Sequence, residues 1–378
     1  MNNEFEMGPI RPPSEATSIL VRVTRNCPWN KCAFCHTYQD QTFSRRTVEE
    51  VKQDIDSIYT ITARILDVLG SNGNGQMFTM ETLQKARGDD RTPEYYYKQV
   101  AFWMQYGMRT AFLQDANSML LPTAQLVDII THLKKRFPSI ERITTYSRSK
   151  TMSRKTIDEL KDLRAAGLTR LHTGMESGCD EVLDFIRKGV TSEEQITGGK
   201  KIVEAGFDLS EYYMPGIGGK KWWKENALES ARVLSSINPT YIRLRSTVPV
   251  PGTPLFDAME RGEWEPLGEV EKVREIRLFI ENLDGITSIV KSDHIMNLIE
   301  DIEGTLPGDK NSMLDVIDRF LAMDEDNREM FIIGRRLGQY RSLAEYRPNQ
   351  EIENVRRQLK SRFATLDEAI MEILRNYI

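Results

Sequence analysis

Short apolar runs alternate with amphipathic spacings along the first two thirds of the chain. Ile19, Leu20, Val21 and Val23 form a run of strand type. Val48, Val51, Ile55, Ile58, Thr62, Ile65 and Leu69 then recur at threes and fours, which is one face of a long helix. Thr47 with Glu50 predicts a capping box at its start, and Gly70 suits its end. Residues 70–91 read as an insertion, rich in Gly and Asn at first. A helix is expected over residues 93–107, a strand over 110–114, and a helix over 123–135 with Leu126, Val127, Ile130 and Leu133 inward. A strand over 142–146 follows, then a helix through Ile157, Leu160 and Leu163 that stops at Gly167. Next come a strand over 168–173, a helix over 180–187, and a helix with Ser192 as N-cap and Gln195 three residues on. Residues 207–214 give a fifth strand, 225–237 a helix closed by Asn238-Pro239, and 240–245 a sixth strand.

Alternation of this regularity implies a parallel sheet with right-handed crossovers. Six units predict the α/β class, as an incomplete (β/α)6 TIM-type barrel over residues 15–255. An arm of residues 1–14 precedes it, and a mostly helical, highly charged extension follows over 256–378, broken at Leu306-Pro307-Gly308. Barrels of this kind carry their chemistry at the C-terminal ends of the strands.

The loop after the first strand holds Cys27, Cys32 and Cys35 within nine residues. Three thiolates on one loop suit three irons of a cubane iron–sulfur cluster and leave the fourth iron open to a ligand. The alternative is a zinc site completed by His36 or Cys179. Only four cysteines are present, three of them crowded, which points to metal ligands in a reducing compartment and hence the cytoplasm. No leader-like segment opens the chain, and no apolar stretch approaches the roughly 18 residues that span a bilayer. Charge is mildly acidic, 51 Lys+Arg against 56 Asp+Glu, which argues against nucleic acid as the main partner.

Four further motifs fall at predicted strand ends. They are Leu113-Gln114-Asp115-Ala116-Asn117-Ser118, Thr173-Gly174-Met175-Glu176-Ser177-Gly178, Met214-Pro215-Gly216-Ile217-Gly218-Gly219 and Val248-Pro249-Val250-Pro251-Gly252-Thr253-Pro254. With the cysteine loop, they resemble the radical S-adenosylmethionine (radical SAM) superfamily, in its coproporphyrinogen oxidase-like and methylthiotransferase-like branch. The likeness covers about residues 15–260. The family spacing is Cys-x3-Cys-x2-Cys, whereas four residues separate Cys27 from Cys32; the second interval is kept, and Phe34 fills the usual aromatic position before the last cysteine.

The resemblance implies a [4Fe-4S] cluster on Cys27, Cys32 and Cys35, and S-adenosylmethionine on the open iron. It places Asp115 and Asn117 at the methionine amine, although an Asx turn explains both residues as well. Glu176 would accept from the ribose hydroxyls. Lys188, or Arg187 beside it in Ile186-Arg187-Lys188-Gly189, would meet the carboxylate. Gly216 and Gly218 would let backbone approach the adenine. The implied reaction is reductive cleavage to a 5′-deoxyadenosyl radical that abstracts hydrogen, fed by a flavodoxin or ferredoxin as low-potential electron donor. Candidate catalytic residues are His294, as proton donor or acceptor over the strand ends, and Tyr213; the bland readings are a capping histidine and a core aromatic. Cys179 is read as a small buried side chain or a hydrogen-atom donor, and Trp222-Trp223 as a lid or partner surface.

The substrate expected first is a small or lipid-like molecule, with a tetrapyrrole as the named case. Two alternatives stand beside it. One is a radical enzyme modifying protein or RNA, docked on Arg335-Arg336, Arg356-Arg357 and Lys360 of the helical extension. The other is a non-catalytic zinc or iron–sulfur protein.

Overall fold

The structure, a computed structural model, describes residues 3–70 and 78–375. Eight strands form one sheet: β1 (Ile19–Arg22), β2 (Thr110–Gln114), β3 (Arg142–Ser147), β4 (Leu168–Glu176), β5 (Asp208–Tyr213), β6 (Tyr241–Leu244), β7 (Ile289–Lys291) and β8 (Gly304–Thr305). They hydrogen-bond in that linear order, so β1 and β8 are its two edges. The first six are the strands expected from the sequence. The last two lie in the region after residue 255, which the sequence reads as mostly helical. Three and two residues are too short to show a period of their own. The chain divides into two compact units that interleave along the sequence.

The first unit comprises Met1–Pro28, Asp40–His172 and Glu204–Asp208. Here β1, β2 and β3 run parallel, with Ile19 opposite Ala111 and Thr110 opposite Arg142. Helix α1 (Val48–Leu69) carries the expected capping box and buries Val51, Ile55, Ile58, Ile61, Thr62 and Ile65. The Gly- and Asn-rich opening of the expected insertion falls on residues 71–77, outside the described residues; α2 (Met80–Arg87) follows. Helices α3 (Glu94–Gln105), α4 (Thr123–Arg136), α5 (Ser149–Arg154) and α6 (Ile157–Ala166) complete the unit. The N-terminal arm is tied down: Gln114 Nε2 donates to the carbonyls of Gly8 and Ile10 at 3.0 and 2.7 Å.

The second unit comprises Trp29–Gln39, Thr173–Val203 and Leu209–Ile378. Strand β5 pairs parallel with β6, and β6 with β7, while β8 runs antiparallel to β7. Helix α7 (Asp180–Phe185) ends two residues earlier than expected. Helix α8 (Ser192–Glu204) is capped by Thr191 and Glu194, which bond reciprocally at 3.2 and 3.1 Å, and not by Ser192 with Gln195. Gln195 turns inward and donates to Met175 O, and Ser192 bonds Asp180 instead. Helix α9 (Gly219–Ile237) begins six residues before the expected start and is kinked at Trp222. Helices α10 (Pro254–Glu260) and α11 (Glu269–Glu281) follow it, and then α12 (Lys310–Leu321), α13 (Glu325–Arg336), α14 (Gln350–Arg362) and α15 (Leu366–Arg375). Phe331 of α13 centres an aromatic cluster with Phe320, Tyr340 and Tyr346. No helix among the described residues is long and apolar enough to cross a membrane.

Candidate active site

The cysteine loop is anchored at its middle. Ala33 enters an apolar cluster with Val182, Ile186, Met214, Ile217, Leu255, Ala258 and Trp264, and Phe34 packs at its edge. The Ala33 amide donates to Ile186 O at 2.8 Å, and its carbonyl accepts from Leu255 N at 2.9 Å. This small residue between Cys32 and Phe34 therefore fixes the second cysteine interval. Asn30 lies in the longer first interval at φ 45°, and its side-chain Nδ2 donates to Tyr38 O. Cys27, Cys32 and Cys35 are not joined in disulfides and are partly exposed. A donor set of three cysteine sulfurs on one loop suits a cubane cluster. Among the described residues, no three or more His, Cys, Asp or Glu side chains gather around a single metal ion. His36 is exposed. The Cys179 thiol is buried, donates to Glu181 Oε2 at 3.2 Å, and is pushed up to about 11 by that burial.

In the first unit, Asp115 is buried at the end of β2. Its Oδ2 accepts from Arg22 Nε at 2.8 Å and from the Asn26 amide at 3.3 Å. The carboxylate expected at a cofactor amine thus also joins the end of β1 to the start of the cysteine loop. Asn117 donates through Nδ2 to Thr151 Oγ1 at 2.8 Å. Its Oδ1 is a buried acceptor with no hydrogen-bond partner among the described residues. Burying such an atom unpaired costs about 1–3 kcal/mol, so Asn117 offers the acceptor that a bound amine would use.

In the second unit, Glu176 closes β4 at φ 65°, outside the usual region for a non-glycine residue. Its Oε1 lies 2.8 Å from Lys188 Nζ. A Cβ at Gly174 would stand 2.2 Å from that same oxygen, so a side chain there would displace the Glu176 carboxylate from this position. Lys188 Nζ also sits 5.8 Å from the centre of the Phe34 ring. The structure thus gathers Phe34, Glu176 and Lys188. Glu211 on β5 is fully buried; burial pushes its carboxyl well up, and the nearby negative charge of Glu176 pushes the same way.

The glycine turn after β5 is held from below. Glu275 on α11 accepts from the Gly216 amide at 2.8 Å, Tyr213 Oη at 2.7 Å and Asn226 Nδ2 at 2.6 Å. Burial raises this carboxyl to about 7 against the lowering pull of those donors. Tyr213 is fully buried and stacks on Phe279 at 4.2 Å. Its hydroxyl is committed to Glu275, so the structure brings it to the support of the turn. Gly218 is buried just ahead of α9. Sequence reading missed Glu275, although the signal was present: it is a carboxylate on the face of α11 that buries Val273, Ile276 and Phe279.

His294 follows β7 and is half-buried. Its Nδ1 accepts from the Met296 amide at 3.2 Å, which places the ring proton on Nε2. Burial, with Arg245 adding, depresses this imidazole to about 4, while Asp293 opposes. Asp293 itself pairs with Arg243, whose Nε donates to Ser210 Oγ at 3.2 Å.

A sequence profile of the radical SAM superfamily matches residues 21–231, more than half of the chain. The tRNA uridine(34) acetyltransferases of Methanocaldococcus jannaschii and Methanocaldococcus infernus are 27% and 26% identical over 124 residues, 31% of this chain. That match spans 22% of their own length. Among solved structures, the coproporphyrinogen III oxidase of Escherichia coli aligns at TM-score 0.45 and 16% identity over 70% of this chain and 52% of its own. Methylornithine synthase aligns at 0.42 and 16%, over 74% and 66%.

Proposed function

The chain belongs to the radical SAM superfamily, and from that premise we propose an enzyme that abstracts a hydrogen atom from a small-molecule substrate. Enzymes of this family use a [4Fe-4S] cluster and S-adenosylmethionine. Together these supply an electron and a sulfonium carbon–sulfur bond whose reductive cleavage yields a carbon radical. The observation that carries the proposal is the loop of Cys27, Cys32 and Cys35, in no disulfide and pinned through Ala33. Those thiolates would hold the cluster. Asn117 Oδ1 would accept from the methionine amine, with Asp115 shaping the same turn. Lys188 would face the carboxylate and Glu176 the ribose hydroxyls, each neutralising the other until the cofactor arrives. The Gly216 backbone, fixed by Glu275, would border the adenine together with Gly218, and Phe34 would screen the loop from water. His294, neutral at physiological pH, would present its Nε2 proton to the substrate. A flavodoxin or ferredoxin would supply the electron, in the cytoplasm.

A tRNA substrate is the second reading, favoured by the two archaeal relatives. Against it stands the pairing of the extension's cations. Arg335 meets Glu300, Arg336 meets Glu269, Arg356 and Lys360 meet Glu329, and Arg357 meets Glu353. Paired arginines offer phosphates little net charge.

Anaerobic reconstitution tests the assignment. Brown protein with about four irons that releases methionine and 5′-deoxyadenosine under dithionite supports it. Colourless protein holding one zinc overturns it.

A further inference from the structure

We propose that Arg245 and His294, at the C-terminal ends of β6 and β7, hold a carboxylate of the substrate. This rests on the radical SAM reading and narrows its small molecule to one that carries a carboxylate.

Strand register puts the residues on one face. Tyr212 of β5 stands opposite Arg243 of β6, and Arg243 opposite Lys291 of β7. Tyr213 takes the other face, where it stacks on Phe279 of α11. Side chains alternate along a strand, so Tyr212 and Arg243 share the face away from α11. Arg245 lies two residues past Arg243, and Asp293 two past Lys291. The Arg245 amide donates to Tyr213 O at 2.9 Å, which carries the pairing past the end of β6.

The loop after β7 is locked onto β6. Asn297 is buried there. Its Nδ2 donates to Leu244 O at 2.9 Å, and its Oδ1 accepts from the Ser246 amide at 2.9 Å, one on each side of Arg245. Arg335 and Arg336 of α13, both buried, donate to Asn297 O at 3.2 Å and Met296 O at 3.1 Å. His294 sits inside this loop, and the Met296 amide orients its ring.

Two donors remain at this place. Arg245 is exposed, and its guanidinium makes no hydrogen bond or ion pair among the described residues. His294 Nε2 carries the ring proton and has no partner among them either. Burial depresses the His294 imidazole and raises the Tyr212 hydroxyl, and the Arg245 charge acts on both, so the guanidinium lies beside the two rings. The acids of this region are committed elsewhere. Asp293 pairs with Arg243 and Glu176 with Lys188. Glu300 meets Arg335, Glu303 meets Lys291, and Asp301 accepts from the Leu343 amide. Recognition therefore rests on one guanidinium and one neutral N–H side by side, and needs no wider positive field.

That donor pair selects its ligand. The guanidinium fork matches the two oxygens of a carboxylate. One positive charge balances a monoanion, whereas a phosphate dianion would keep an uncompensated charge beside a half-buried ring. His294 adds a directed donor without adding charge. Holding the substrate by such a group fixes the orientation in which its C–H bond meets the radical.

The test uses reconstituted protein saturated with S-adenosylmethionine, with propanoate as the probe. Phenylglyoxal labels accessible guanidiniums, and peptide mass spectrometry reads the labelling rate at Arg245. Propanoate should slow that rate about threefold or more beyond chloride at equal ionic strength, while the exposed Arg91 and Arg154 follow the chloride control. In His294→Ala, the propanoate concentration giving half protection should rise about threefold or more. Protection no greater than that of chloride overturns the proposal, as does protection unchanged in His294→Ala or an Arg245 that is never labelled. Phosphate that protects more strongly than propanoate overturns the carboxylate class. S-adenosylmethionine that protects by itself assigns the guanidinium to the cofactor and overturns the proposal as well. None of these readouts needs turnover. Wild-type protein that dithionite cannot drive to cleave S-adenosylmethionine overturns the radical SAM reading instead, a result separate from protection by propanoate.

Discussion

Lys188 Nζ lies 2.8 Å from Glu176 Oε1, with side chains only 10% and 12% exposed. The two residues that the resemblance assigned to the ribose and to the carboxylate of one cofactor are each other's ion pair. Glu176→Ala removes the carboxylate that neutralises Lys188. The expected outcome is a loss of S-adenosylmethionine affinity of about tenfold or more, since hydrogen bonds involving a charged group contribute about 1.5–3 kcal/mol. Iron content should not change. Equilibrium dialysis with reconstituted protein measures this, and unaltered affinity removes Glu176 from the site.

The strand-end motifs were legible because strand–helix alternation fixes where each loop emerges. Cys27, Asp115 and Gly216 follow strands read from the chain, and Glu176 closes one. What stayed hidden depends on contacts between distant residues. Nothing local to Asp115 announces Arg22, and nothing local to Tyr213 announces Glu275, 62 residues later. Tyr213 reads as a strand-end aromatic, yet the pleat turns it toward α11. Thr191 lost the cap of α8 to Ser192 in the reading because the two neighbours differ only in which hydroxyl reaches back.

The thiols should divide three to one. Cys27, Cys32 and Cys35 are partly exposed, whereas Cys179 is buried and its thiol is pushed up to about 11. A thiol reagent at pH 8 should label three cysteines quickly in native, iron-free protein and the fourth only on unfolding. Cys32→Ala should show two fast thiols and assemble no cluster, with the melting temperature of the iron-free form little changed. Four fast thiols, or a variant that still takes up its iron, would contradict the site.

Glu275 gives stability a pH dependence of known sign. Its folded carboxyl sits at about 7, above the ordinary 4.5. Between these values the folded state binds the additional proton, so this group's contribution falls as pH rises from about 4.5 to 7 and then levels. Glu275→Gln is neutral throughout. Its stability relative to wild type should therefore rise by up to about 3 kcal/mol between pH 5 and 8. Urea midpoints at four pH values decide this; a constant difference would show that the carboxyl does not titrate there.

His294 runs the other way. Burial and Arg245 depress its imidazole to about 4, below the ordinary 6.5. Between those values the unfolded chain binds the additional proton, so this contribution rises with pH across the window and is complete above about 6.5. The ring resonances of His294 should stay flat from pH 5.5 to 8 and move only near the lower value. Arg245→Gln removes the second cause of the depression and should shift that titration upward, with Asp293 then opposing burial alone. A ring that titrates near 6.5 in wild type would place His294 in solvent and remove it from the set that faces substrate. A flat profile, joined to a His294→Ala variant that still cleaves S-adenosylmethionine without substrate, would leave it as a neutral donor held by the Met296 amide.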